Sequence, residues 1–121
     1  MDDFFENDES LYRAVYPPEK MQMFWKSDGR LSSAALKDKN GLSVERGHYR
    51  SDKDVAASMR ERFSGRIVRL SVGQCRAVNA IVKYLPGRSE YHSEIHGSES
   101  KKILSNHQSR ELASQVLILE Y

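Results

Sequence analysis

Cysteine is almost absent from this chain of 121 residues, since Cys75 is the only one. A secreted domain of this length normally carries paired cysteines, so one thiol excludes an internal disulfide framework and a zinc site built on cysteines. Cys75 lies in the mixed segment VGQCRAVN, and we interpret it as a small, partly buried apolar residue. The lone thiol favours a reducing compartment.

Long hydrophobic runs and enzyme fingerprints are also missing. No stretch approaches the roughly 18 apolar residues that a membrane-spanning helix needs. The first ten residues are acidic where a signal peptide would be basic, so we expect a cytoplasmic protein. The chain contains no Walker loop, Rossmann fingerprint, zinc knuckle or nucleophile elbow, and we therefore expect no cofactor.

Charge is distributed unevenly along the chain. Residues 1–10 hold five acids and no base, whereas residues 11–121 hold all 19 Lys and Arg residues against 12 acids. This pattern predicts an acidic flexible tail at 1–10 and a single folded domain at 11–121. A basic body suits an anionic partner, with the acidic tail competing for the same surface. The scatter of the basic residues favours ordinary solubility charge as the alternative.

Hydrophobic periodicity predicts an α+β domain with a small mixed or antiparallel sheet and two main helices on one sheet face. The first helix is predicted from Ser51, which opens a capping box, to Gly65, a residue type favoured after a helix C-terminus. Its core face is expected to pack on strands near Val68 and Val116. That face consists of Val55, Ala56, Met59 and Phe63. The second helix is predicted over 100–114.

Alternating apolar residues and turn signals predict the strands. These are 11–16, 66–72, 80–84, 91–96 and the C-terminal run VLILEY, which is expected inside the sheet. Asn40-Gly41 can join 31–36 to 42–46 as a hairpin, or the whole segment can be a covering loop. One or two helical turns are expected over 73–78.

The segment HSEIH is the most suggestive of chemistry. Residues two apart on a strand share a face, so His92, Glu94 and His96 are expected to lie about 6.5–7 Å from one neighbour to the next. Two imidazoles and a carboxylate can act as general acid and base, as some ribonucleases require. They can also bind a transition metal. His92 and His96 are too far apart to hold one ion, however, so we predict no metal. A structural role is the alternative.

A second combination joins Arg13, Ser33 (or its neighbour Ser32) and Glu94. The segment LYRAVYP followed by SSAA resembles the order of residues in ADP-ribosyltransferase-like folds. That resemblance implies that the Arg and the Ser position NAD and that the Glu stabilises a cationic transition state. The chain is short for that fold and shares no other feature with it, and a surface cation is the alternative interpretation of Arg13.

Nucleic-acid binding is a further hypothesis, because basic side chains on the first helix and the later strands can follow phosphates. These side chains are Arg60, Arg62, Arg66, Arg69, Arg76, Lys83 and Arg88. Tyr49, Tyr84 and Tyr91 are available to stack on bases. The chain contains no RNP or GXXG signature.

Several short segments resemble a group of small bacterial and phage proteins that have no assigned activity. The segments are LYR followed by proline, DGRLSSAALKD, LSVER and HSEIHG, spread over residues 11–115. The resemblance implies one domain of bacterial or phage origin and transfers no activity. Our leading hypothesis is therefore a small cytoplasmic binding or accessory module that contacts a protein or a nucleic acid. The alternative is a small enzyme that acts on RNA or NAD.

Overall fold

The computed structural model describes residues 4–87 and 89–120, and within these ranges it contains one antiparallel sheet of six strands. The strands are β1 (Ser10–Val15), β2 (Leu42–Arg46), β3 (Arg66–Ser71), β4 (Ile81–Tyr84), β5 (His92–His96) and β6 (Leu117–Ile118). Their order across the sheet is β4-β5-β2-β1-β3-β6. The predicted α+β class and single domain are confirmed.

Three α-helices and two short 3-10 helices accompany the sheet in the described ranges. The α-helices are α1 (Asp52–Arg60), α2 (Val72–Ala77) and α3 (Asn106–Gln115), and the 3-10 helices are Gln22–Phe24 and Ser33–Leu36. A serine hydroxyl accepts a hydrogen bond from the third helical N–H of each α-helix, as N-caps do. The caps are Ser51, Ser71 and Ser105. None of the described helices has the length and apolar composition that crossing a bilayer requires.

The helices cover both faces of the sheet rather than one. Alternation along β1 sends Leu11 into a larger core with residues of α2 and α3, and sends Tyr12 into a smaller core with α1. We call the face that carries α1 the outer face and the opposite one the inner face. The prediction of helices on a single face is therefore wrong.

The predicted core face of α1 is right for Val55, Ala56 and Met59, which are buried against Tyr12 of β1 and Ile67 of β3. Phe63 lies beyond the end of the helix and is 48% exposed. The predicted partners Val68 and Val116 belong to the core on the inner face. The predicted helix end at Gly65 is also wrong, because α1 stops at Arg60 and Gly65 instead leads into β3 with a positive φ of 111°.

Three other segments differ from their predictions. The segment predicted as the first arm of a hairpin forms the 3-10 helix Ser33–Leu36 instead. The Ser32 hydroxyl caps this helix by accepting a hydrogen bond from the N–H of Ala34. Helix α3 begins after Ser105 rather than near residue 100, because Ser105 and Gln108 form a reciprocal capping box. The C-terminal strand is the two-residue β6 at the edge of the sheet.

Residues 4–9 pack against the domain, although the sequence predicts that they belong to a flexible tail. Phe5 is only 2% exposed and lies in the larger core. The Glu9 carboxylate accepts hydrogen bonds at 2.7 and 2.8 Å from the Arg46 guanidinium, and both side chains are buried. An aromatic ring and a paired charge thus hold a segment that composition alone marks as acidic and mobile. Residues 1–3 of the predicted tail lie outside the described residues.

Cys75 lies on the buried side of α2 with no exposed surface. Burial raises the pKa of its thiol to about 12, which the nearby charge of Arg76 only partly offsets. A protonated, covered thiol is a poor nucleophile. The interpretation of Cys75 as an apolar residue rather than a reactive thiol is therefore confirmed.

Candidate functional site

Helix α1 covers only part of the outer face, and polar side chains occupy the rest. Its buried residues contact β1 and β3, whereas β2, β5 and β4 continue the face beyond it. The strand register places Ser43 and Lys83 on either side of Glu94, and Glu45 beside His92. Strand alternation therefore builds a polar half-face on the three neighbouring strands.

The three predicted residues of β5 do lie together on this half-face. His96 Nε2 lies 2.8 Å from Glu94 Oε1, and His92 Nε2 lies 3.5 Å from Glu94 Oε2. The side chains of His92, Glu94 and His96 are 13%, 20% and 9% exposed. The carboxylate thus sits between two imidazoles in a recessed position.

Both imidazoles hold the Glu94 carboxylate in its ionised form. Burial raises the pKa of Glu94, but the hydrogen bonds and the electrostatic attraction of His96 and His92 together lower it by more, so the net pKa lies below the ordinary value. An ionised carboxylate only accepts, so each Nε2 that bonds to it carries a proton. Across the residues that the structure describes, no three His, Cys, Asp or Glu side chains are arranged to hold a metal ion.

Gly41 brings the loop before β2 against this cluster. Its φ of 96° favours glycine, and a Cβ at this position would lie 2.7 Å from Glu94 Oε1 and 2.8 Å from His96 Nε2. The sequence indicates Gly41 only as a turn residue. Its close approach to Glu94 depends on the pairing of β2 with β5, which local sequence does not specify.

We expect Glu94→Gln to remove part of the loss of stability in acid. Because the folded pKa of Glu94 is lowered, its contribution to stability is complete above the ordinary value of 4.5 and is lost as pH falls through the folded value. Urea unfolding at a series of acidic pH values should give a steeper decline for the wild type than for the variant. Glu99→Gln, in an exposed pair with Lys83, is the control and should follow the wild type. Parallel curves for wild type and Glu94→Gln would contradict the assignment.

The structure places Arg13 near this half-face and Ser33 far from it. Arg13 donates from Nη1 to the carbonyl oxygen of Ser43 at 2.9 Å, and it lines the same cavity as His92. Ser33 belongs to a 3-10 helix that packs on α3 at the inner face, where it lines a separate recess with Arg110. Arg13, Ser33 and Glu94 therefore do not form one site.

The basic residues proposed for nucleic-acid binding are largely engaged within the fold. Arg62 pairs with Glu45, Arg69 with Asp52 and Lys83 with Glu99. Arg60 donates to the carbonyl of Gly65, Arg66 lies over the ring of Trp25, and Arg76 donates to Asn7. Arg88 lies outside the described residues. Carboxylate partners thus offset the charges of Arg62, Arg69 and Lys83.

Aromatic side chains gather where β2 and β4 end and β5 begins. Phe4 stacks on Tyr84 with ring centroids 5.0 Å apart, and the His48 ring lies 5.7 Å from Tyr49 and 6.4 Å from Tyr91. We call these five residues the aromatic end. The Arg46 guanidinium lies under Phe4 and Tyr84, at 4.8 and 5.1 Å from the ring centroids.

Tyr49 is 86% exposed, more than any other large hydrophobic side chain of the described residues. It and His48 have positive φ angles of 67° and 50°, a conformation that non-glycine residues adopt only where surrounding contacts hold it. The N–H of His48 donates to Glu9 Oε2 at 3.1 Å, and the Arg50 side chain donates to the carbonyls of Gly47 and Arg46. The loop is therefore fixed in a strained shape that presents Tyr49 to solvent.

The sequence indicates Tyr49, Tyr84 and Tyr91 as rings available for stacking but does not predict that they gather at one end of the sheet. No family model matches the chain, and neither a curated protein nor a solved structure matches it. The resemblance to small bacterial and phage proteins therefore stays a prediction.

Proposed function

We propose that this chain is a protein-binding module whose contact surface is the aromatic end. The observation that carries the proposal is Tyr49, a large ring 86% exposed on a loop held in a strained conformation. Tyrosine is enriched among the few residues that dominate binding energy at protein interfaces. A ring whose loop is already ordered loses little conformational entropy on binding. The lone thiol of Cys75 favours the cytoplasm as the place of action.

The charges at this end favour a protein partner over a nucleic acid. Arg46 is paired with Glu9 and Arg50 with Glu45, so neither guanidinium is left to neutralise a phosphate. Asp8 also lines the recess beside Tyr49, where its charge would repel a phosphate backbone. A protein segment with apolar or aromatic side chains can stack on the rings without needing free cations.

An acid–base enzyme acting on RNA or NAD is the second candidate. One observation favours it: His92 lines a cavity, and a carboxylate that orients an imidazole is a common arrangement for a general base. Both oxygens of Glu94 face imidazoles, however, and Ser33 lies on the other side of the sheet. This candidate therefore lacks the serine that the sequence suggested for positioning NAD.

A photo-cross-linking amino acid at position 49 tests the proposal in extract from the source cells. We expect one predominant protein adduct that persists as salt is raised, because the contact is mainly aromatic. Met23, which is 64% exposed on the 3-10 helix Gln22–Phe24, is the matched control position and should give no such adduct. Excess unlabelled wild-type protein should compete, and Tyr49→Ala should not.

Two outcomes would contradict the proposal. An adduct that nuclease digests and that weakens with rising salt would assign the surface to nucleic acid instead. Equal labelling from positions 49 and 23 would mean that the aromatic end contacts proteins only as any exposed surface does.

A further inference from the structure

Strands β1 and β2 separate after a short stretch of pairing. They pair at Leu11 with Arg46 and at Tyr12 with Glu45, and the ladder then stops although both strands continue. In the gap, the Nη1 group of Arg13 donates to the carbonyl of Ser43, a backbone group that faces β1. A side chain thus replaces part of the missing ladder.

The charge of Arg13 has no carboxylate partner. No acid lies within ion-pair distance of it in the described part of the chain, and its Nε atom is buried without a hydrogen-bond acceptor. Burial lowers the pKa of Arg13, and the more distant charge of Asp38 opposes that shift. Buried guanidiniums are normally paired, because an uncompensated charge away from water is costly.

A cavity of about 130 Å³ opens at the same gap, between the outer face and the chain at the end of α1. This volume is roughly ten times the smallest that holds one water molecule, which leaves room for a small ligand. Arg13 lines the cavity together with Ser43, Ser89 and His92, and the apolar side chains of Met59 and Phe63 form another wall.

The acid in the cavity wall does not compensate Arg13. Glu45 is bonded through one oxygen to Arg50 and through the other to Arg62, so its charge is already offset twice. Nη1 of Arg13 donates to Ser43, Nε is buried without an acceptor, and Nη2 forms no hydrogen bond within the described residues. A guanidinium N–H that has no acceptor can donate to an oxygen of a carboxylate or a phosphate.

We propose that this cavity is an oxyanion-binding site, in which a single phosphate or carboxylate group pairs with Arg13. The hydroxyl of Ser43 and the ring of His92 supply further polar contacts, and Phe63, which is half exposed, lies at the mouth. A small anion would provide the missing counter-charge without disturbing the pair between Glu45 and Arg62.

Isothermal titration calorimetry with inorganic phosphate and, separately, with acetate tests the site. The ionic strength is held constant, with chloride as the background anion. We expect saturable binding of at least one of the two anions, and we expect Arg13→Gln to raise its Kd at least about tenfold. Arg66→Gln removes an equal charge from an exposed strand position outside the cavity and should change the Kd less than about twofold. Which anion binds identifies the source of the oxyanion.

Amide chemical shifts of the wild-type protein keep the test independent of how well the variant folds. Shifts that move on titration should cluster at Ala14, Ser43 and Ser89 around the cavity. The proposal is overturned if neither anion saturates, if Arg13→Gln binds as tightly as the wild type, or if the moving signals lie elsewhere. A negative cross-linking result at position 49 would contradict the proposed protein-binding surface but not the oxyanion site, since Tyr49 is not part of the cavity wall.

Discussion

Glu9→Gln is expected to lower the free energy of unfolding by about 3 kcal/mol, because it leaves the buried guanidinium of Arg46 without its counter-charge. The substitution keeps the size of the side chain, so packing around Phe5 should be retained. Urea unfolding followed by circular dichroism would measure the loss.

Asp28→Asn provides the matched control, since Asp28 and Arg30 form the same kind of pair on the surface, with side chains 52% and 69% exposed. Exposed pairs contribute little, so the unfolding midpoint of Asp28→Asn should equal that of the wild type. If Glu9→Gln behaved like Asp28→Asn, residues 4–9 would not belong to the folded domain.

The pair between Glu9 and Arg46 also links stability to the proposed binding surface. Arg46 supports the rings of Phe4 and Tyr84, and Glu9 accepts the hydrogen bond from the His48 N–H that helps to fix the loop of Tyr49. Loss of the Glu9 charge should therefore disorder the aromatic end before it unfolds the sheet. On the proposed function, the acidic N-terminal segment belongs to the binding surface rather than competing for it.

Local signals in the sequence were sufficient for the elements whose causes are local. The hydroxyl of Ser51 caps α1, and Val55 and Met59 follow it at helical spacing, so the helix was predictable. The position of Phe63 was not, because it depended on where the helix stopped. The edge position of β6 could not be predicted either, since strand order is set by contacts between distant segments.

The same distinction applies to the candidate sites. The alternation of His92, Glu94 and His96 is a property of one strand, so their shared face followed from the sequence. The aromatic end joins residues 4, 48–49, 84 and 91, which meet only after β2, β5 and β4 pair and the N-terminal segment packs on Arg46. Ser33 was misplaced because its segment forms a 3-10 helix against α3 instead of a hairpin arm.

Gly41→Ala is expected to destabilise the protein by about 3 kcal/mol, the sum of two effects. A side chain at a φ of 96° costs about 1–2 kcal/mol. The new methyl group would also displace the Glu94 carboxylate from the His96 ring, and a hydrogen bond to a charged group contributes about 2 kcal/mol. Gly29→Ala isolates the first effect, because Gly29 has a similar φ of 89° and no atom within 4 Å of an added Cβ.

A double-mutant cycle then shows whether the extra cost arises at the polar cluster. In a His96→Ala background the carboxylate of Glu94 is free to turn away, so Gly41→Ala should cost little more than Gly29→Ala costs in the wild type. Chemical unfolding of the four proteins of the cycle gives the coupling energy. If Gly41→Ala destabilises the protein equally with and without the His96 ring, the loop before β2 does not pack against the hydrogen-bonded pair of Glu94 and His96. The recessed position of the Glu94 carboxylate would then need a different cause.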